Sequence, residues 1–297
     1  MPLGTPDIIR PFRWNIARRN ELGSLLKGPH AESWPGFIVE LRRTTALAVA
    51  RSGPGTIVFV GRSLESSFDY LSGIVEGLEP HFPLKLLQVS FSAVRDIEAT
   101  AAQSPAEFAA LTAYMRAEGL SATDLTVAAE PTTFVDIVAT GGTFGTLVGL
   151  LRLMCRTERA DWNVVERRIG FTGVVIAGKT SPNTWRWWQH EPWVAELKKP
   201  RISNVSIPGY LWGFLGNNAE KVTRSHSLWR WADPASRSPD HADEHTRALR
   251  LAVSLYDRGL ARDERSRFAD ELARLPEMRH AWLRRLVTAL RRAGGRR

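Results

Sequence analysis

The residues best suited to chemistry lie between Asp136 and Thr143, inside the stretch TTFVDIVATGGTFGTLVGLLRLM that runs from Thr132 to Met154. Phe134, Val135, Ile137 and Val138 form a β-branched and aromatic run without polar alternation, which predicts a strand buried on both faces. Asp136 is the one charge within it. Ala139, Thr140, Gly141, Gly142 and Thr143 follow, small residues that let the backbone turn tightly and bring its N–H groups close to a ligand. From Phe144 onward, Leu147, Val148, Leu151 and Met154 fall at helical spacing, so the loop opens onto a helix N-terminus. Free N–H groups and the helix dipole favour an anion there, most naturally a phosphate, and the hydroxyls of Thr140 and Thr143 can donate to the same oxygens. A carboxylate just upstream is placed to accept hydrogen bonds from sugar hydroxyls or to share a Mg²⁺ ion.

The segment FVDIVATGGT resembles the phosphoribosyl-pyrophosphate (PRPP) motif of the type I phosphoribosyltransferases: an apolar strand, two acidic residues, two apolar residues, then ATGGT. Asp136 falls on the second acidic position and Val135 stands at the first. The resemblance implies an α/β fold with a mostly parallel sheet flanked by helices. It implies that Asp136 engages the ribose, acts in catalysis and is the metal ligand, and that Ala139, Thr140, Gly141, Gly142 and Thr143 hold the 5-phosphate. In the family an earlier strand-to-helix loop receives pyrophosphate, and Gly61, Arg62 and Ser63 stand at that position here. The implied activity is transfer of 5-phosphoribosyl from PRPP to an acceptor with release of pyrophosphate, assisted by Mg²⁺. Family members also close a mobile loop over PRPP, for which Arg95 is the candidate cation, and cover the site with a variable hood.

The elements that must position these groups are legible in order. Residues 1–36 read as a Pro- and Arg-rich arm, and Phe37 to Arg51 as a helix stopped by SGPG. TIVFVG (56–61) reads as a buried strand, followed by a helix through Leu64, Phe68, Leu71 and Ile74. A third strand is expected at Leu84 to Val89, helices at Pro105 to Arg116 and Ala122 to Ala128, and a strand at Ile169 to Ala177. TERADWNVVERR reads as a charged connection, and Lys179 follows the last strand as a further candidate cation. The expected organisation is an arm and helix (1–55), a PRPP-binding core (56–180), a Trp-rich hood segment (181–240) and a C-terminal helical extension (241–297). In the hood segment seven tryptophans crowd together, from Trp185 to Trp231, and most read as a small aromatic core. His190, Glu191 and Asp233 are candidate acceptor contacts.

At 297 residues the chain can bury a substantial core. The net charge of +9 fits a polyanionic ligand, with nucleic acid as a competing explanation. Much of that charge sits in the C-terminal helix, where Arg279, Arg284, Arg285 and Arg291 alternate with an apolar face of Leu283, Leu286, Val287 and Leu290. The single cysteine, Cys155, excludes an intramolecular disulfide and fits a reducing cytoplasm. The first residues lack the uninterrupted apolar core of a signal peptide, and no run reads as a transmembrane segment. His241 and His245 share an i, i+4 spacing near Asp243 and Glu244 that superficially suggests a metal pair, but with linker residues around them they do not read as a metal site. Two functions follow: a phosphoribosyltransferase for an unidentified acceptor, such as the cationic secondary metabolites typified by aminoglycosides, or a non-catalytic regulator that senses PRPP or a nucleotide and binds nucleic acid.

Overall fold

A computed structural model of the protein describes residues 8–31, 33–178 and 186–295. Five strands form one all-parallel sheet: β1 (Thr56–Val60), β2 (Leu84–Leu87), β3 (Thr132–Ile137), β4 (Ile169–Ile176) and β5 (Ile202–Ile207). Their spatial order is β2-β1-β3-β4-β5. The helices of six or more residues are α1 (Phe37–Ser52), α2 (Glu65–Val75), α3 (Ile97–Gln103), α4 (Pro105–Ala117), α5 (Ala122–Val127), α6 (Gly142–Glu158), α7 (Trp162–Arg168), α8 (Asp243–Leu260), α9 (Arg262–Ala273) and α10 (Ala281–Gly295).

The apolar strands divide their side chains by alternation, as the pleat requires. Val58, Val60, Phe134, Phe171 and Val175 join one core, covered by residues of α3 to α7 and by Trp187 and Trp231. Ile57, Phe59, Val135, Val174 and Val205 join the other, covered by α1, α2, α8, α9 and α10. Both faces of the sheet are therefore sealed, which is why these strands read as continuous hydrophobic runs.

Three readings of the sequence change in the structure. The segment expected as a hood contributes to the main fold from residue 186 on: Ile202–Ile207 pairs in parallel with β4 and extends the sheet, while Trp187 and Trp231 are fully buried in its core. The charged connection folds as α7, capped by Asp161, which accepts from the N–H of Asn163. The C-terminal helices form a layer of the core, since Phe268, Leu272, Leu283 and Leu290 are fully buried with α1 and α2. Where α2 and α8 cross, Gly73 and Gly259 bring the backbones so close that a Cβ on Gly73 would meet the carbonyl oxygen of Tyr256 at 2.1 Å.

Arg13, in the N-terminal segment, pairs with two buried carboxylates of α2. Arg13 places Nη2 at 2.6 and 2.7 Å from the two oxygens of Asp69 and Nη1 at 2.7 Å from Glu65, tying the arm to α2. Among the described residues, no helix is long and apolar enough to cross a membrane.

Candidate functional site

The strand order sets the position of the site. From β1 the chain passes through α2 to β2 on one side, whereas β3 lies on the other side of β1, so the connections leaving β1 and β3 diverge. Ligands of open α/β sheets bind in the crevice this opens beyond the carboxyl ends of the strands. A cavity of about 1040 Å³ occupies that place. The loop after β1, the end of β2, Asp136 of β3 and the first turn of α6 all line it.

Of the residues expected at the site, Gly61, Arg62, Ser63, Asp136, Gly142 and Thr143 converge on this cavity, as does Arg95. Ala139 and Thr140 are exposed and are not among its lining. Gly141, also outside the lining, is the N-cap of α6 with φ +108°, and a Cβ there would meet the ring of Trp187 at 2.5 Å. Only glycine fits this combination of positive φ and contact. Gly142 is open, with Thr140 Oγ1 at 3.9 Å as the nearest neighbour of an added Cβ. No side-chain hydrogen bond caps the start of α6. Lys179 lies outside the described residues.

Asp136 is 6% exposed. Its Oδ1 accepts the N–H of Ile137 at 2.7 Å, and the hydroxyl of Thr143 also donates to the carboxylate. Burial outweighs both hydrogen bonds and the attraction of Lys221, pushing Asp136 up to about 8. Burial likewise pushes Lys221 down to about 8, against the attraction of Glu65 and Asp136 and with repulsion from Arg62. Its ammonium donates to the carbonyl of Leu215 at 2.6 Å. Acid and amine therefore titrate in one range, and a ligand that brings charge of either sign shifts both.

Arg62 turns Nη1 toward the carbonyl of Thr223 at 2.7 Å, and burial lowers its pKa. Gln88 Nε2 donates to Thr223 Oγ1 at 2.9 Å, and the N–H of Ser90 donates to the carbonyl of His226 at 2.9 Å. These bonds fasten residues 223–226 to the ends of β1 and β2, and so bring Arg224, Ser225 and His226 into the cavity wall. Sequence reading missed this wall, because SHSLWRW carries no local pattern that separates His226 from its neighbours. His226 is 2% exposed, with neither ring nitrogen hydrogen-bonded. Leaving a buried polar group unpaired costs roughly 1–3 kcal/mol.

The charges divide the chamber. Its β1 and β2 side carries Arg62, Arg95 and Arg224; Asp96, also there, is spent as the cap of α3, accepting the N–H groups of Glu98 and Ala99. The β3 and α6 side carries Asp136, with Glu191 and Glu196 from the former hood segment. Glu191 accepts the indole N–H of Trp193 at 2.9 Å, and Glu196 pairs with Arg152. Of the other two candidate acceptor contacts, His190 is exposed and outside the cavity lining and Asp233 caps a short turn, while His245 binds the carbonyl of Lys221 through Nδ1 at 2.6 Å. Among the described residues no three His, Cys, Asp or Glu side chains cluster as a metal site.

Set beside known proteins, the chain matches no family model, no curated protein and no solved structure. What the fold itself defines is a doubly wound α/β protein with a polarised cavity at its switch point.

Proposed function

We propose that the protein is a phosphoribosyltransferase that moves the 5-phosphoribosyl group of PRPP to an acceptor and releases pyrophosphate. One observation carries this: the loop Gly61–Ser63, Asp136 and the uncapped start of α6, which the PRPP-like motif singled out separately, open into one chamber. In this reading the N–H groups of Gly142 and Thr143 hold the 5-phosphate, and the cationic side with Arg62 takes the pyrophosphate. Asp136 accepts from the ribose hydroxyls, and in its ionised form its charge opposes the positive charge that develops at C1 as the leaving group departs.

The donor set fits a Mg²⁺ ion held mainly by substrate oxygens, with Asp136 as its one protein carboxylate, since Mg²⁺ commonly takes one or two carboxylates plus substrate phosphates. When bound, the ion neutralises charge on the departing pyrophosphate. The acceptor, entering on the side of Glu191 and Trp193, meets carboxylates and an aromatic face, which suits a cationic amine such as an aminoglycoside.

The deciding experiment is incubation with PRPP and Mg²⁺ against a panel of amine and hydroxyl acceptors, with pyrophosphate release as the readout. Release above the protein-free rate with one acceptor supports the reading. No release with any acceptor, together with PRPP-dependent binding of a nucleic-acid duplex, replaces it with a regulatory role.

A further inference from the structure

We propose that His226 is a binding residue of the cavity's cationic side, donating a ring N–H to an oxygen of bound pyrophosphate. The inference rests on the phosphoribosyl-transfer reading for the identity of the anion, whereas the site itself stands on the geometry.

His226 is 98% removed from solvent, yet neither Nδ1 nor Nε2 has a hydrogen-bond partner. Buried polar groups are nearly always paired, and those that are not call for a reason. The residue is also fixed rather than loose. Its carbonyl accepts from the N–H of Ser90 at 2.9 Å and from Trp231 Nε1 at 3.0 Å, and its ring packs edge-on against Tyr114 with centroids 5.9 Å apart. A buried ring in the wall of a cavity, with both nitrogens unpaired, keeps donor capacity unspent beside whatever enters the cavity.

The surroundings select an anion. Arg62 and Ser63 line the same chamber from β1, Ser90 and Arg95 from the end of β2, and Arg224 from the segment of His226 itself. Arg224 is steadied by an ion pair with Asp240, and Arg62 by the carbonyl of Thr223. Arginines and hydroxyls suit phosphate oxygens, and a neutral imidazole supplies one more N–H donor.

The charge state of the ring gives this site a signature. Burial holds His226 down to about 4, with repulsion from Arg230 adding to it and Asp233 opposing it. Besides these two, the groups around the ring are the Tyr114 hydroxyl of α4 and, in the cavity wall, Arg62, Arg95, Asp96 and Arg224. A bound polyanion favours the imidazolium, so binding takes up protons as pH falls toward 5.

The test uses inorganic pyrophosphate and the full chain. Calorimetric titration at pH 5.5 in two buffers of different ionisation enthalpy should show proton uptake on binding to the wild type. His226→Phe should bind pyrophosphate at least tenfold more weakly with that uptake gone, and His226→Gln, which keeps an N–H donor, should recover part of the affinity but not the uptake. Should His226→Phe fail to fold, ¹⁵N spectra of the wild-type histidine rings should show the His226 nitrogens moving when pyrophosphate is added. Unchanged affinity in a folded His226→Phe, or ring nitrogens indifferent to saturating pyrophosphate, overturns the proposal. Failure of ribosyl transfer is separable: pyrophosphate that binds with the predicted uptake while PRPP is never turned over leaves this site standing and removes the transferase reading.

Discussion

Of the carboxylates that are almost wholly removed from water, Glu264 and Asp136 have opposite surroundings. Glu264, at 0% exposure, is saturated: its oxygens accept from Arg42 Nε at 2.6 Å and Nη2 at 3.1 Å, from the Tyr70 hydroxyl at 2.8 Å and from Arg258 Nε at 2.9 Å. The four side chains come from α1, α2, α8 and α9, so one charge pins the helical layer together. Asp136, at 6%, has a backbone N–H, a hydroxyl and a lysine at a distance that does not offset burial. One charge is complete inside the fold. The other is not offset by its neighbours, and burial holds its pKa up.

The comparison is broken or upheld first by Glu264→Ala. It strands the Arg42 and Arg258 guanidinium groups in the layer and should cost about 3–5 kcal/mol in denaturant unfolding. Loss below about 1 kcal/mol would mean that the node is not structural.

Asp136→Asn should move stability the other way. The folded-state pKa of about 8 lies above the ordinary 3.8, so the native state holds a proton that the unfolded state has lost between those values. Wild-type stability therefore falls as pH rises from about 4 to 8, and the deficit is complete above that. The amide removes it: unfolding at pH 9 should show the variant more stable by about 2–4 kcal/mol, with little difference at pH 4. On the proposed phosphoribosyl-transfer reading, the same substitution should slow pyrophosphate release more than it weakens PRPP binding, because an ionised carboxylate would matter most as charge develops at C1. A destabilised variant would place Asp136 with Glu264 as a structural charge.

Gly141→Ala is next in size. Positive φ and the Trp187 ring at 2.5 Å oppose any side chain, at a cost of about 2 kcal/mol. Gly142→Ala, one residue on, meets open space and should be nearly neutral in stability. Equal losses in thermal unfolding would show that the start of α6 is not shaped as described.

The sequence made one side of this comparison readable and hid the other. Asp136 stands out because it interrupts an apolar strand and precedes a glycine turn, all within a few residues. The strands β1 to β4 and the helices α1, α4, α6 and α10 are similarly visible, because burial imposes a period on each. The Glu264 node joins residues as far as 222 positions apart, which no local pattern can signal. β5 escaped because ISNVSI is short and carries Ser203, Asn204 and Ser206 at the sheet's edge, where pairing with β4 outweighs composition. Asn204 then serves the buried Trp187, whose Nε1 donates to its Oδ1 at 2.8 Å. The wall at 224–226 was hidden for a related reason, being built by hydrogen bonds from β1 and β2 rather than by a motif of its own.

The finest test of the comparison is Thr143→Val, which keeps the shape of the side chain and removes one hydroxyl. That hydroxyl donates to the Asp136 carboxylate, so it favours the charged form and holds the pKa below what burial alone would impose. Its loss should raise the pKa of Asp136 further, by roughly one unit if a single hydrogen bond to a charged group is worth about 1.4 kcal/mol here. The sign fixes where this appears. Near pH 6 the carboxyl is protonated with or without the hydroxyl, and stability should change little. Above pH 9 the wild-type carboxylate is charged and leans on Thr143, so the variant should be less stable there by about 1 kcal/mol. Carboxyl ¹³C titration of Asp136 in both proteins gives the shift directly, and paired unfolding curves at pH 6 and 9 give its energetic counterpart. If the loss is the same at both pH values, Thr143 supports the start of α6 rather than the charge. Asp136 would then be even less compensated than it is here, and further from Glu264.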